Sequence, residues 1–187
     1  MPGRFPPSAR SVALAVAALL MLPAAAPAQD CPAGPQRAAV LGALNAARAE
    51  VGVAPVRRRP ALTRAACAYA ADMVARRFFS HTSPDGQGPA DRARRSGYLR
   101  NAPVWSVGEI LLWSRKPVFT ATDAAAAWLA SPPHKAILLS RAYKDAGVGV
   151  VPGDPLGDPL TTPSVTMAVL FGQRRVRAAS ARRRATR

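Results

Sequence analysis

Several familiar signatures are missing from this chain. It has no G-x-S-x-G elbow to raise a nucleophilic serine and no H-E-x-x-H pair to set two zinc ligands on one helical face. The apolar run from Val12 to Leu22 is too short to span a bilayer comfortably. No internal repeat or biased segment occurs before the last 14 residues, so the chain is read as one unit rather than a stacked array. Histidine and cysteine occur twice each, and acids are scarce: 10 Asp and Glu face 26 Lys and Arg in 187 residues, a formal charge of +16. Arg174 to Arg187 carry seven arginines with no acid and no aromatic residue, so nucleic-acid bases would find nothing there to stack on.

What is present begins with an address. Arg4 and Arg10 precede the apolar run, and Ala26-Pro27-Ala28 places small residues around a spacer, as in a secretory leader cleaved before Gln29. An uncleaved anchor would need a longer run, and lipidation of Cys31 would need small apolar residues where Ala28-Gln29-Asp30 stand. The expected organisation is a signal peptide over 1–28, one domain over 29–173 with enough chain to bury a core, and a disordered arginine-rich tail over 174–187. The expected product is a secreted or periplasmic monomer with no transmembrane segment after cleavage. Export favours a Cys31–Cys67 disulfide; the alternative is a small buried hydrophobe at Cys67 and a disordered Cys31. Without Arg4 and Arg10 the formal charge is +14, and half of it lies on the tail. That tail is either a solvated extension or an adhesive for anionic envelope lipid or polysaccharide, through an attraction that salt weakens. Export and the missing aromatic platform argue against nucleic acid.

Apolar spacing predicts helices over 36 to 51, with Gly52 as its stop, and about 62 to 78, with Leu62, Ala66, Tyr69 and Met73 as a core stripe. Between them Pro55, Arg57-Arg58-Arg59 and Pro60 read as a linker. A short helix opens near Pro89 and stops at Gly97, with Arg92, Arg94 and Arg95 on a basic outer face. VWSVGEILLW, 104 to 113, reads as a buried strand. Thr120 and Asp123 form a capping box before a helix reaching Ala130, and Ser131-Pro132 restart another with His134 in its first turn. DAGVGVVP (145 to 152) and SVTMAVLFG (164 to 172) read as a strand pair; Val165, Met167, Val169 and Phe171 share a face, and Gly147 and Gly149 admit a close backbone. Helices around a small, mostly antiparallel sheet give an α+β layered domain.

The chain is organised around FFSHTSPDG, 78 to 86, where two aromatics anchor a turn that fixes the His81 imidazole. Glu109 is the one charge in the 104 to 113 strand, and an acid there is costly unless paired or solvated. His81, Glu109 and His134 lie far apart in sequence; two imidazoles and a carboxylate could hold zinc with an open fourth position. A hydrogen-bonded His-Glu-His network without metal is equally complete chemically.

Together with the Asn45-x-x-Arg48 helix, Gly97-Tyr98, Gly108-Glu109, WLASPPH (128 to 134) and the closing strands, this order of motifs resembles the CAP superfamily. The likeness is to its bacterial branch of SCP-like domains, related to cysteine-rich secretory proteins and plant pathogenesis-related proteins. The resemblance runs from about Ala38 to Gly172 and implies a three-layer α-β-α sandwich. It also implies a cleft of histidines and acids that in some members holds zinc or another divalent ion. His81 matches the first family histidine, Glu109 the glutamate of its Gly-Glu-Asn motif, and His134 the histidine of Ser-Pro-Gly-His. Ile110, Pro133 and Met167-Ala168 depart from the usual Asn, Gly and Thr-Gln, while Ser131 and Thr166 stand nearest the missing acid and histidine of eukaryotic members. Two functions follow as expectations. One is a noncatalytic domain binding an envelope component, lipid or another protein; the other is a metal-dependent peptide or ester hydrolase using His81, Glu109 and His134.

Overall fold

The structure is a computed structural model that describes residues 34–116, 119–157 and 163–176. The expected leader, Cys31 and the tail beyond Val176 lie outside the described residues. Helix α1 spans Pro35–Glu50, strand β1 Arg57–Arg58, α2 Pro60–Arg76, α3 Pro89–Arg95 and β2 Val104–Ser114. Helices α4 (Ala121–Ala130) and α5 (Pro132–Leu138) follow, then strands β3 (Asp145–Pro152) and β4 (Val165–Arg175). Among the described residues the strands form one four-stranded sheet in the order β1-β3-β4-β2, in which β1 and β3 run parallel and the other neighbours antiparallel.

Local chemistry sets the element ends. Prolines open α1, α2, α3 and α5, where a missing amide hydrogen costs nothing. The expected capping box forms at α4: Thr120 Oγ1 accepts from the Asp123 amide at 3.1 Å while Asp123 Oδ2 accepts from the Thr120 amide at 2.8 Å. Helix α2 ends earlier than its apolar pattern suggests. Arg77 adopts a left-handed φ of 54°, and the Phe78 amide turns back to the Met73 carbonyl at 3.1 Å, closing a Schellman motif. That reversal lays Phe78 edge-on against Tyr69, with ring centroids 5.9 Å apart.

The sheet is covered on both faces. On one, α1, α4 and α5 bring Val40, Leu44, Trp128 and Leu138 against Ile110, Val148, Met167, Val169 and Phe171. On the other, α2 and α3 bring Leu62, Tyr69, Met73 and Ala93 against Leu111, Ala168 and Leu170. The alternation of β4 thus works as expected, except that its second face is also buried. A Cβ on Gly147 or Gly149 would lie 2.1 Å and 2.4 Å from the α2 backbone, so those glycines set how closely helix and sheet approach.

Two sequence expectations change, and one polar pair takes a structural part. Arg57 and Arg58 are not only linker: the Arg57 amide donates to the Lys144 carbonyl and the Arg59 amide to Ala146, making a short parallel edge strand with no apolar pattern to announce it. Strand β4 continues through Arg175, so Arg174 and Arg175 belong to the sheet rather than the tail; Arg174 lies over the Tyr98 ring and donates to the Tyr98 carbonyl. Asn45 and Arg48, which would be ordinary polar surface by themselves, are structural. Asn45 exchanges two hydrogen bonds with the Val56 backbone, at 2.9 and 3.1 Å. Arg48 is fully buried and donates to the carbonyls of Ala54, Leu138, Ser140 and Tyr143 at 2.6 to 3.3 Å, tying α1 to the end of α5 and the approach to β3. Burial lowers the Arg48 pKa.

Candidate functional site

The period of β2 places Glu109 on the face covered by α2 and α3, together with Val107 and Leu111. There its carboxylate is almost completely enclosed, 3% exposed, and a bare charge in that place would be prohibitively costly. Arg92 resolves this. Its Nη2 lies 2.8 Å from Glu109 Oε1 and 2.7 Å from Oε2. Arg92 is therefore not on the basic outer face expected for α3; it is 6% exposed, with its guanidinium 3.3 Å from the Tyr69 ring centroid. The sequence signal was the buried acid itself, which demanded a cation without saying which arginine of α3 would supply it.

Arg92 also shapes the loop around His81. Nη1 donates to the Gln87 carbonyl at 2.7 Å and Nη2 to the His81 carbonyl at 2.9 Å. Tyr69 donates to the Ser80 carbonyl at 2.5 Å, and the Ser83 hydroxyl accepts from the Gln87 amide at 3.1 Å, which closes the Ser-Pro-Asp-Gly reversal. The Ser83 hydroxyl thus holds the turn. Burial pushes the Tyr69 hydroxyl up to about 12, with Arg92 opposing and Glu109 reinforcing the shift.

So held, His81 places Nδ1 2.9 Å from Glu109 Oε1. A carboxylate paired with a guanidinium only accepts, so Nδ1 donates to it, and Nε2 is the ring nitrogen left for a ligand. The His81 side chain is half exposed while that of Glu109 is enclosed. His134 arrives from the opposite layer, in the first turn of α5, and its ring centroid lies 6.5 Å from that of His81. Burial, and secondarily the neighbouring His81, lowers the His134 pKa below its usual 6.5, favouring the neutral ring. Of the expected trio, the structure joins His81 to Glu109 directly and sets His134 opposite His81.

Zinc or another divalent ion fits this arrangement poorly. No group of three or more His, Cys, Asp or Glu among the described residues is placed to hold a metal. Both oxygens of Glu109 already receive cationic or N–H donors. Two imidazoles on one tetrahedral zinc would also bring their centroids to about 5 Å, given Zn–N bonds of about 2.0 Å. Thr166, nearest the missing family histidine, is buried and donates to the Gly153 carbonyl at 2.8 Å. The arrangement instead offers two neighbouring imidazoles, one of them oriented by Glu109.

A family model described as the cysteine-rich secretory protein family, CAP, matches residues 41–169. No curated protein matches the chain. Among solved structures, an outer surface protein of Borrelia burgdorferi superposes with a TM-score of 0.59 at 21% identity, covering 73% of this chain and 90% of that one. An extracellular protein containing an SCP domain from Bacillus anthracis gives a TM-score of 0.56 at 20% identity, over 73% of this chain and 39% of that one. A cysteine-rich secretory protein of Staphylococcus aureus gives 0.52 at 15%, over 73% and 37%. The chain spans well under half the length of the last two, and likeness at these identities concerns the fold.

Proposed function

The chain belongs to the cysteine-rich secretory protein family, CAP, and from that membership we propose that it is an exported, noncatalytic domain that binds an envelope component in the cleft of His81 and His134. The observation that carries this reading is the Arg92–Glu109 pair: a carboxylate clamped by Arg92 is a poor general base and a poor metal ligand, yet it orients His81 well. What remains available to a ligand is a pair of imidazoles, suited to the hydroxyl and amide groups of envelope glycopeptides. Export is supported by the leader-like residues 1–28 and by similar structures described as outer surface or extracellular proteins. No helix among the described residues is long and apolar enough to cross a membrane.

A low-salt pull-down tests the reading. The mature protein should be retained by peptidoglycan or lipopolysaccharide, and the double variant His81→Gln, His134→Gln should lose that retention while leaving the matrix intact. Failure of the unaltered protein to bind either matrix, or release of cleaved fragments, contradicts it.

A further inference from the structure

The sheet has one end unlike the rest of the surface. Five large hydrophobic side chains are well exposed among the described residues, and three of them, Val104 (58%), Trp105 (38%) and Val176 (53%), gather where β2 begins and β4 ends. The register fixes this: Val104 stands opposite Arg175 and Trp105 opposite Arg174, with Val176 next in the chain. Among the described residues β2 is the edge strand of the sheet, and none of their other strands covers that corner.

The same end is ringed by cations. Arg94 lies over the Trp105 ring, 4.9 Å from its centroid, and Arg100 and Arg175 are exposed. Lys144, also exposed, donates its amide to the Gly172 carbonyl of β4, which places it at this end as well. The half-exposed acid Asp91 is already paired with Arg94 at 2.9 Å. From Val176 the chain continues for 11 residues that hold five more arginines and no acid.

We propose that this end, Val104, Trp105 and Val176 within their arginine ring, docks on an anionic lipid bilayer, with the arginine tail adding to the attraction. A bilayer interface matches both halves of the surface: anionic headgroups attract the arginines, while the interface takes up an amphipathic indole and small aliphatic side chains. A soluble polyanion would satisfy the charge but give the exposed Trp105 and valines nothing apolar to enter. Glu109 lies five residues further along β2 from Val104, so the cleft and this corner can be altered separately.

Co-sedimentation of the mature protein with phosphatidylglycerol vesicles, phosphatidylcholine vesicles and a soluble anionic polysaccharide tests the assignment. Binding to phosphatidylglycerol at low salt, and little to phosphatidylcholine, is expected. Deleting residues 177–187 should reduce partitioning at least about tenfold, since each arginine near the surface contributes severalfold. Val104→Asp and Trp105→Ala, checked for retained melting temperature, should each weaken vesicle binding severalfold without changing polysaccharide binding. His81→Gln with His134→Gln should leave vesicle binding unchanged. The assignment is overturned by absence of binding to phosphatidylglycerol vesicles or by corner variants that bind as the unaltered protein does. Corner variants that weaken vesicle and polysaccharide binding equally would move the assignment to a glycan and overturn the bilayer.

Discussion

Arg92 and Glu109, 17 residues apart in the chain, form a buried pair in which one guanidinium nitrogen reaches both carboxylate oxygens, at 2.8 and 2.7 Å. The pair explains how an acid sits inside the apolar strand β2, why α3 packs where it does, and how the His81 loop is held, since the same guanidinium donates to the His81 and Gln87 carbonyls.

Breaking that pair on one side should be far worse than removing it. Arg92→Ala leaves an uncompensated buried carboxylate and should cost about 3–5 kcal/mol, whereas replacing both partners, Arg92→Met with Glu109→Leu, should come close to neutral. Urea denaturation of the two variants checks this. Equal losses would mean that Glu109 finds another partner.

Acid should destabilise the protein partly through His134. Its folded pKa lies below the usual 6.5, so the folded state binds fewer protons there and stability rises with pH. This contribution is complete above the unfolded pKa and is lost as pH falls through that value toward the lowered folded one. His134→Gln should flatten the stability curve in that window. By NMR titration, His81→Gln should raise the His134 pKa, because the neighbouring ring is one of the two causes of the depression.

Arg48 satisfies four carbonyls with one buried side chain. Arg48→Met should cost on the order of 3 kcal/mol or more, because those carbonyls become buried orphans. Arg48→Lys should recover only a minor part, since an ammonium lacks the planar fork.

The joining of Cys31 and Cys67 is checked by intact mass. Exported protein is expected to weigh two hydrogens less than its reduced form and to lose thermal stability on reduction. A full complement of reactive thiols after export would contradict the pairing.

The layered fold was legible because its signals were local: apolar spacing, capping boxes, prolines at helix starts, and glycines where α2 nears β3. His81, Glu109 and His134 could be named from the motifs alone. Arg92 could not, since a charged residue on a short helix reads as solvated until the sheet beneath it is known to carry a buried acid. Arg48 was hidden for the same reason, its carbonyl partners being as much as 95 residues away. Strand β1 escaped because two exposed arginines carry no pattern that periodicity can detect.

Imidazole 15N NMR of the mature protein with soluble peptidoglycan fragments, followed by mass analysis of the fragments, bears most directly on the cleft. Shifted His81 and His134 resonances with the fragments recovered intact are expected. Unmoved resonances, or fragments shortened by hydrolysis, would contradict a noncatalytic binding cleft.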